Sequence, residues 1–333
     1  MKIGIDSFAA LVPDPITGKI IPAVERMAHL LEEIEVADQV GLDVFGLGEH
    51  HREEYLDSAP AVILAAAAAR TKNIRLSSAV TVLSAADPVR VFQEFSTLDL
   101  ISGGRAEMIV GRGSFVESFP LFGLKLEDYD DLFAEKLDLL LKLRESNHVN
   151  WSGKHRAALT GQGVYPRPVQ AKIPIWLGVG GTPASFARAG MLGLPLMVAI
   201  IGGEPHRFRP LIELYRKAGE RAGHKAEDLR VGIHALGYAA DTDQQAADDF
   251  FPGYAAAFTK IGKERGWPPV TRGQFNALLG PTGALMVGSP ETVASKVQAM
   301  SRALGGIDQV GFQMSVAALR HDRLLHSTRL LGE

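Results

Sequence analysis

The sequence predicts an α/β fold, and within that class one closed (β/α)8 TIM barrel with an insertion in its C-terminal half. Three observations carry this expectation. Eight short β-like runs alternate with longer helical patterns, and parallel strands need a crossover helix between them. The centres of those runs are apolar throughout, as in a sheet covered on both faces. No Ser/Gly/Pro-rich linker or charge block divides the 333 residues, so a single domain over 1–333 is expected rather than two doubly wound sheets.

The elements follow in order. Lys2 to Phe8 alternates like a strand, and Val24 to Val40 carries Met27, Leu30, Leu31, Ile34 and Ala37 at helical spacing before the helix stop Gly41. Val44 to His50 is the second strand, Ala59 to Arg70 an Ala-rich helix, and Ile74 to Leu83 a β-branched third strand. Asp87 and Pro88 are suited to the N-cap and first turn of the next helix, which stops at Ser102-Gly103-Gly104 before the strand Ala106 to Val110. Leu126 to Glu145 is a long amphipathic helix, and residues 149–151 and 155–159 suggest a surface hairpin. Ile173 to Gly178, Leu194 to Ile201, Leu229 to Ala239 and Gln309 to Val316 complete the strands. The helices between and after them are Pro183 to Met191, Pro205 to Ala222, Gln244 to Gly262, Glu291 to Ala303 and Ala317 to Leu331. Trp267 to Gly288, with Pro268, Pro269, Gly273, Gly280, Pro281 and Gly283, is the least regular stretch. Residues 266–288 are expected as a loop over one end of the barrel, either a mobile lid or a passive insertion.

Composition narrows the function. A formal net charge of −3 lacks the basic excess of a nucleic-acid binder. Without Cys there is no disulfide, no thiolate nucleophile and no Cys-ligated metal. Met1 to Phe8 has no signal-peptide h-region, and Ala59 to Ala69 and Leu192 to Ile201 fall short of the ~20 residues of a membrane helix. A cytoplasmic protein with no membrane contact is the expectation.

In such a barrel the chemistry lies at the carboxyl ends of the strands. Strand two ends in Glu49-His50-His51-Arg52, strand four in Gly111-Arg112-Gly113, and strand five in Gly178 to Ala184. Gly180 and Gly181 allow close backbone approach, and Thr182 places a hydroxyl at the N-terminus of a helix, where N–H groups and the dipole favour a phosphate. Arg112 can reach the same phosphate bidentately, or make an ordinary salt bridge at a strand end. No Walker-type loop occurs, and no Gly-x-Gly-x-x-Gly follows the first strand, so a P-loop enzyme and a Rossmann dehydrogenase are disfavoured. His50 and His51 admit roles as metal ligands, acid–base groups or structural residues. Adjacent strand residues point to opposite sides, and strand six offers no ligand, so a metal hydrolase is under-supplied and no metal site is expected. His234, in an otherwise apolar strand, reads as a hydrogen-bonded interior histidine.

With these residues in view, the chain resembles the luciferase-like monooxygenases, a family of flavin-dependent enzymes. The carriers are Gly48-Glu-His-His51, Ala65 to Thr71 running into Ile74 to Leu83, Asp87-Pro-Val-Arg90 and Leu98 to Arg105. Val110-Gly-Arg-Gly113, Pro174 to Thr182 and Val287-Gly-Ser-Pro-Glu291 complete an ordered set. The resemblance implies reduced FMN at the carboxyl end of a (β/α)8 barrel, its phosphate at Arg112, Gly180, Gly181 and Thr182. It implies a ring lying against a bulge with a cis peptide that maps to Ala79-Val80. In the family, reduced flavin and O2 form a C4a-hydroperoxide that attacks a small organic substrate, and His50 matches the expected acid–base residue. The resemblance also implies a homodimer through the helices after strands two and three, where the small residues of 59–69 permit close approach. A separate flavin reductase is implied too, since no NAD(P)H fingerprint is present. Two positions depart from the family: Gly111 stands where luciferase has a cysteine, and Asp130 where an arginine assists the phosphate. Hydride transfer with the deazaflavin F420 is the alternative, and a non-catalytic flavin-binding barrel another. Phe312-Gln313-Met314 is expected to help shape the substrate pocket.

Overall fold

The computed structural model describes residues 1–333, and it contains the predicted closed barrel. The chain runs β1 (Lys2–Ser7), α1 (Ala23–Gln39), β2 (Val44–Leu47), α2 (Pro60–Ala68), β3 (Arg75–Ser78), β4 (Thr81–Val82), α3 (Pro88–Ser102) and β5 (Ala106–Gly111). Then come α4 (Ser118–Leu121), α5 (Tyr129–Glu145), β6 (His148–Trp151), β7 (Leu159–Gly163), β8 (Ile175–Val179), α6 (Pro183–Met191), β9 (Leu196–Ile200) and α7 (Arg209–Arg221). The last part holds β10 (Val231–Ala239), α8 (Asp243–Arg265), α9 (Arg272–Leu279), β11 (Met286–Gly288), α10 (Pro290–Leu304), β12 (Gln309–Gln313) and α11 (His321–Gly332).

All barrel pairings are parallel. The order β1-β2-β3-β5-β8-β9-β10-β12 closes through β12 onto β1, with Ile5 opposite Phe312 and Asp6 opposite Gln313. The third strand is interrupted. Against β5, Ser77 pairs with Glu107 and Thr81 with Val110, so four steps on one strand meet three on the other. The extra residue lies in Ala79-Val80, the expected bulge, and that peptide bond is cis. Apolar side chains from both halves join one connected core that includes Ile5, Phe45, Leu177, Ile233 and Phe312.

Several caps match the sequence. Asp87 accepts from the backbone N–H of Val89 and Arg90 with Pro88 in the first turn, and Gly103 ends α3 at φ +65°. Other boundaries differ. The hairpin pairs β6 with β7, so its second arm is residues 159–163 rather than 155–159. The last helix starts at His321 because Ala318, at φ +48°, breaks the chain after a short 3-10 turn over residues 315–317. The stretch 266–288, expected as a loop, contains α9 and β11. The helix was hidden because its signal is brief: a capping box between Thr271 and Gln274, and one buried side chain, Phe275. β11 extends β10 beyond the barrel, pairing Met286 with Gly237.

Lys296 anchors this insertion. Its ammonium is buried and donates to the carbonyls of Leu279 (2.8 Å) and Gly280 (2.5 Å), closing the end of α9. Burial pushes it down to about 8 from 10.5, and burial pushes Lys136, which donates to the Ser84 carbonyl, down to about 8 as well. Between those values the unfolded chain binds more protons than the folded one, so stability rises with pH across this window. We expect urea unfolding to show a gain of about 2 kcal/mol per lysine between pH 8 and pH 10. The slope should flatten in Lys296→Met; an unchanged slope in that variant would refute the assignment. No helix is long and apolar enough to cross a membrane.

Candidate active site

The residues singled out by sequence converge on the end of the barrel where strands finish. After β2 the chain turns out through Gly48 to His50. Asp57, fully buried, grips this residue twice, accepting from the His50 backbone N–H (3.1 Å) and facing its Nδ1 at 2.9 Å. Burial pushes the Asp57 carboxyl up, and the His50 hydrogen bond opposes that shift. With Asp57 ionised, Nδ1 carries the proton and donates, which leaves Nε2 for the mouth of the barrel. Gly48 makes the convergence possible. A Cβ there would stand 2.6 Å from the Phe8 ring, 2.7 Å from Asp57 Oδ2 and 2.9 Å from His50 Cε1.

Glu49 and His51 do not join His50 in a chelate. Glu49 accepts from the backbone N–H of Val82 (2.8 Å), tying β2 to the bulged strand, and its other oxygen faces His51 Nε2 at 3.2 Å. No three His, Asp or Glu side chains are arranged to hold a metal ion. His234 is the hydrogen-bonded interior histidine expected, its Nδ1 2.7 Å from Asp6 Oδ2. The Asp6 carboxylate fills space that Gly46 and Gly311 leave on neighbouring strands. Phe8 lies between the two histidines, 4.5 Å from the ring of His50 and stacked 5.9 Å from that of His234. The mouth thus carries two His–Asp pairs on one phenylalanine.

A second corner forms at β5 and β8. Arg112 pairs with Asp130, and its other terminal nitrogen donates to Thr182 Oγ1 at 3.4 Å. The Tyr129 ring lies 5.0 Å beneath the guanidinium, and its hydroxyl donates to the Gly113 carbonyl (3.0 Å). Thr182 is the N-cap of α6 yet makes no capping bond with its hydroxyl, and Gly180 and Gly181 have open space beside them. Inside the barrel, Val80 packs where a Cβ on Gly111 or Gly178 would come within 3 Å of its methyls, and Ala79 lies against Gly46. The structure therefore joins Arg112 to Thr182 and Val80 to Gly111. His50 reaches the Arg112 corner only through the segment 113–115, where Phe115 packs 5.6 Å from its ring. A shallow cleft beside His50 is lined by Glu49, Val82, Gly113 and Phe115.

The rim is closed by charge. Arg52 binds Glu54 and Glu117 beside the mouth, and Glu264 at the end of α8, at 2.6–3.1 Å. Arg265 donates to the Ser114 carbonyl and lies over Phe115 and Trp267. Sequence reasoning missed Asp57, Asp6, Phe8 and this clamp. Asp6 had a signal, a carboxylate inside a strand otherwise apolar. Asp57 had none, because its partner is set by how the loop folds back.

The profile of the luciferase-like monooxygenases matches residues 1–307. The chain belongs to this family. Among family relatives, 4-hydroxyprotoasukamycin monooxygenase of Streptomyces nodosus subsp. asukaensis is 27% identical over 84% of this chain and 78% of its own. The F420-dependent glucose-6-phosphate dehydrogenase of Amycolatopsis mediterranei is 29% identical over 60% of this chain and 62% of its own. Two proteins of Sinorhizobium fredii, 28% and 33% identical, are matched over only 60% and 38% of their length. Luciferase-like barrels also share the architecture in three dimensions. Monooxygenase RslO1 from Streptomyces bottropensis superposes with a TM-score of 0.85 at 24% identity, covering 100% of this chain and 98% of that one. The oxygenating constituent of 3,6-diketocamphane monooxygenase from Pseudomonas putida, solved with FMN, gives 0.79 at 20% identity over 100% and 97%.

Proposed function

We propose that this protein is a monooxygenase that uses reduced FMN and O2 to oxygenate a small organic substrate. One observation carries the reading: a corner built for an anion, Arg112 with Thr182, Gly180 and Gly181, opens on the same mouth as the His50–Asp57 pair. The residues fit a flavin phosphate. Thr182 has a hydroxyl free of capping duty, and the glycines leave room for close approach. When bound, the flavin supplies the activation of oxygen.

The chain's own residues do the rest. Arg112 and Thr182 hold the phosphate, and Ala79 and Val80 meet the ring. His50 takes up and returns a proton at Nε2 while Asp57 fixes its tautomer. Residues 266–288 and the end of α8 act as a lid that keeps water out, latched by Arg52 to Glu264 and by Arg265 to Ser114. The exposed Val62, Leu100 and Ile101 of α2 and α3 supply an apolar face for a homodimer. A monomer mass by sedimentation equilibrium would remove that part. Reduced flavin comes from a separate reductase in the cytoplasm. The relative from Amycolatopsis supports F420 as the alternative cofactor.

The test is binding followed by turnover. FMN should quench on binding, and O2 uptake with reduced FMN should couple to an oxidised product from a panel of aldehydes, ketones, sulfonates and aromatic amines. Arg112→Ala removes a charge-assisted bidentate contact and should weaken FMN about 100-fold, while riboflavin binding changes little. Equal losses for the two flavins would move the phosphate elsewhere. Tight F420 binding without FMN binding would favour hydride transfer.

A further inference from the structure

Arg112 is the cation of the anion corner, and a carboxylate already holds it. Asp130 pairs with one terminal nitrogen of the guanidinium, Thr182 Oγ1 lies 3.4 Å from the other, and the Tyr129 ring supports the face. The two partners differ in freedom. The Arg112 side chain is 25% exposed and pinned from three sides, whereas that of Asp130 is 72% exposed and can swing into solvent. The neighbouring carboxylates are engaged elsewhere: Asp128 and Asp131 each lie 3.8 Å from Lys154, and Glu127 lies 3.6 Å from Lys125. Of this acidic run, Asp130 is directed at Arg112.

A phosphate arriving at Thr182 and the glycines must therefore displace Asp130 from Arg112, and it remains close to a negative charge afterwards. The cost depends on the charge of the phosphate. A phosphomonoester carries between one and two negative charges near pH 7, because its second pKa is about 6. A phosphodiester carries a single charge, and an unphosphorylated ring carries none.

We propose that Asp130 is a charge filter at this corner, a specificity-determining residue that holds binding of a phosphomonoester flavin loose and penalises it relative to a phosphodiester or an unphosphorylated ring. The inference rests on reading the corner as the cofactor's phosphate subsite. Loose binding suits a flavin that arrives reduced and leaves oxidised in every turnover, since a tightly held one would stall exchange with its supplier. Asp130 also keeps Arg112 extended and charge-compensated before the phosphate arrives.

The experiment titrates the full-length wild-type chain, Asp130→Asn and Asp131→Asn with FMN and with riboflavin, following flavin fluorescence at about 0.05 M salt, where screening is weak. The variants are isosteric and exposed, and Asp131→Asn removes an equal charge from the same helix turn without touching Arg112. We expect Asp130→Asn to tighten FMN about tenfold, with riboflavin unchanged, and Asp131→Asn to do much less. The advantage should shrink at about 0.5 M salt. Three results would overturn the filter while leaving the cofactor reading intact: equal FMN affinity in wild type and Asp130→Asn, equal tightening in Asp131→Asn, or riboflavin tightening as much as FMN. Failure of all three proteins to bind either flavin would instead bring down the cofactor reading, and the filter with it.

Discussion

His50→Gln is expected to lower oxygenation turnover by about 10²–10⁴-fold, the usual contribution of a positioned acid–base group, with FMN affinity nearly unchanged. Glutamine keeps the bulk of the side chain and can still donate to Asp57, so the fold of the loop is retained. What it lacks is a nitrogen that takes and returns a proton near neutral pH. Asp57→Asn separates orientation from proton transfer. Asp57 accepts from both the backbone N–H and Nδ1 of His50, and an amide can accept at only one of its two atoms. The imidazole then loses its fixed tautomer and the buried negative charge behind it, and the loss should fall between those of wild type and His50→Gln. Product formation per O2 consumed, measured with reduced FMN, reads both effects. His234→Gln is the informative control. Should that change abolish product while His50→Gln spares it, the acid–base role belongs to the Asp6 pair instead.

Why His50 could be found from sequence and Asp57 could not follows from how each is positioned. The barrel was legible because its strands are short apolar runs separated by helix-length segments, a pattern set by a sheet buried on both faces. The ends of β2, β5 and β8 were legible because polar and glycine residues interrupt that pattern at Glu49 to Arg52, at Gly111 to Gly113 and at Gly178 to Thr182. Once strand order is known, these ends must meet, and Arg112 does meet Thr182. Partners contributed by loops carry no such periodicity. Asp57 folds back onto His50 through the turn that follows β2, and Glu264 and Arg265 reach the mouth from the far end of α8, so long-range packing alone brings them there. Asp130 was legible as a departure from the family pattern, but its pairing with Arg112 was not.

The insertion was the least legible element, and one ring holds it. Phe275→Ala is expected to cost about 3–5 kcal/mol in denaturant unfolding, the range for truncating a fully buried aromatic side chain. Phe275 is the single buried residue of α9, and its ring lies 5.2 Å from Phe251, 5.3 Å from Tyr254 and 6.4 Å from Phe250, all on α8. An eight-residue helix does not persist in water by itself, so its capping box and the Lys296 contacts cannot hold α9 once the ring is gone. The barrel strands make their hydrogen bonds to one another and do not depend on this ring. Hydrogen–deuterium exchange should therefore accelerate first in α9 and in α8 from Phe250 onward, with β1 to β3 keeping their protection. Because α8 ends in Glu264 and Arg265, loosening it also frees the clamp on Arg52 and Ser114, and O2 uptake should become less coupled to product. Equal acceleration in β1 to β3 would show that the insertion is part of the barrel's cooperative core rather than a cover laid on it.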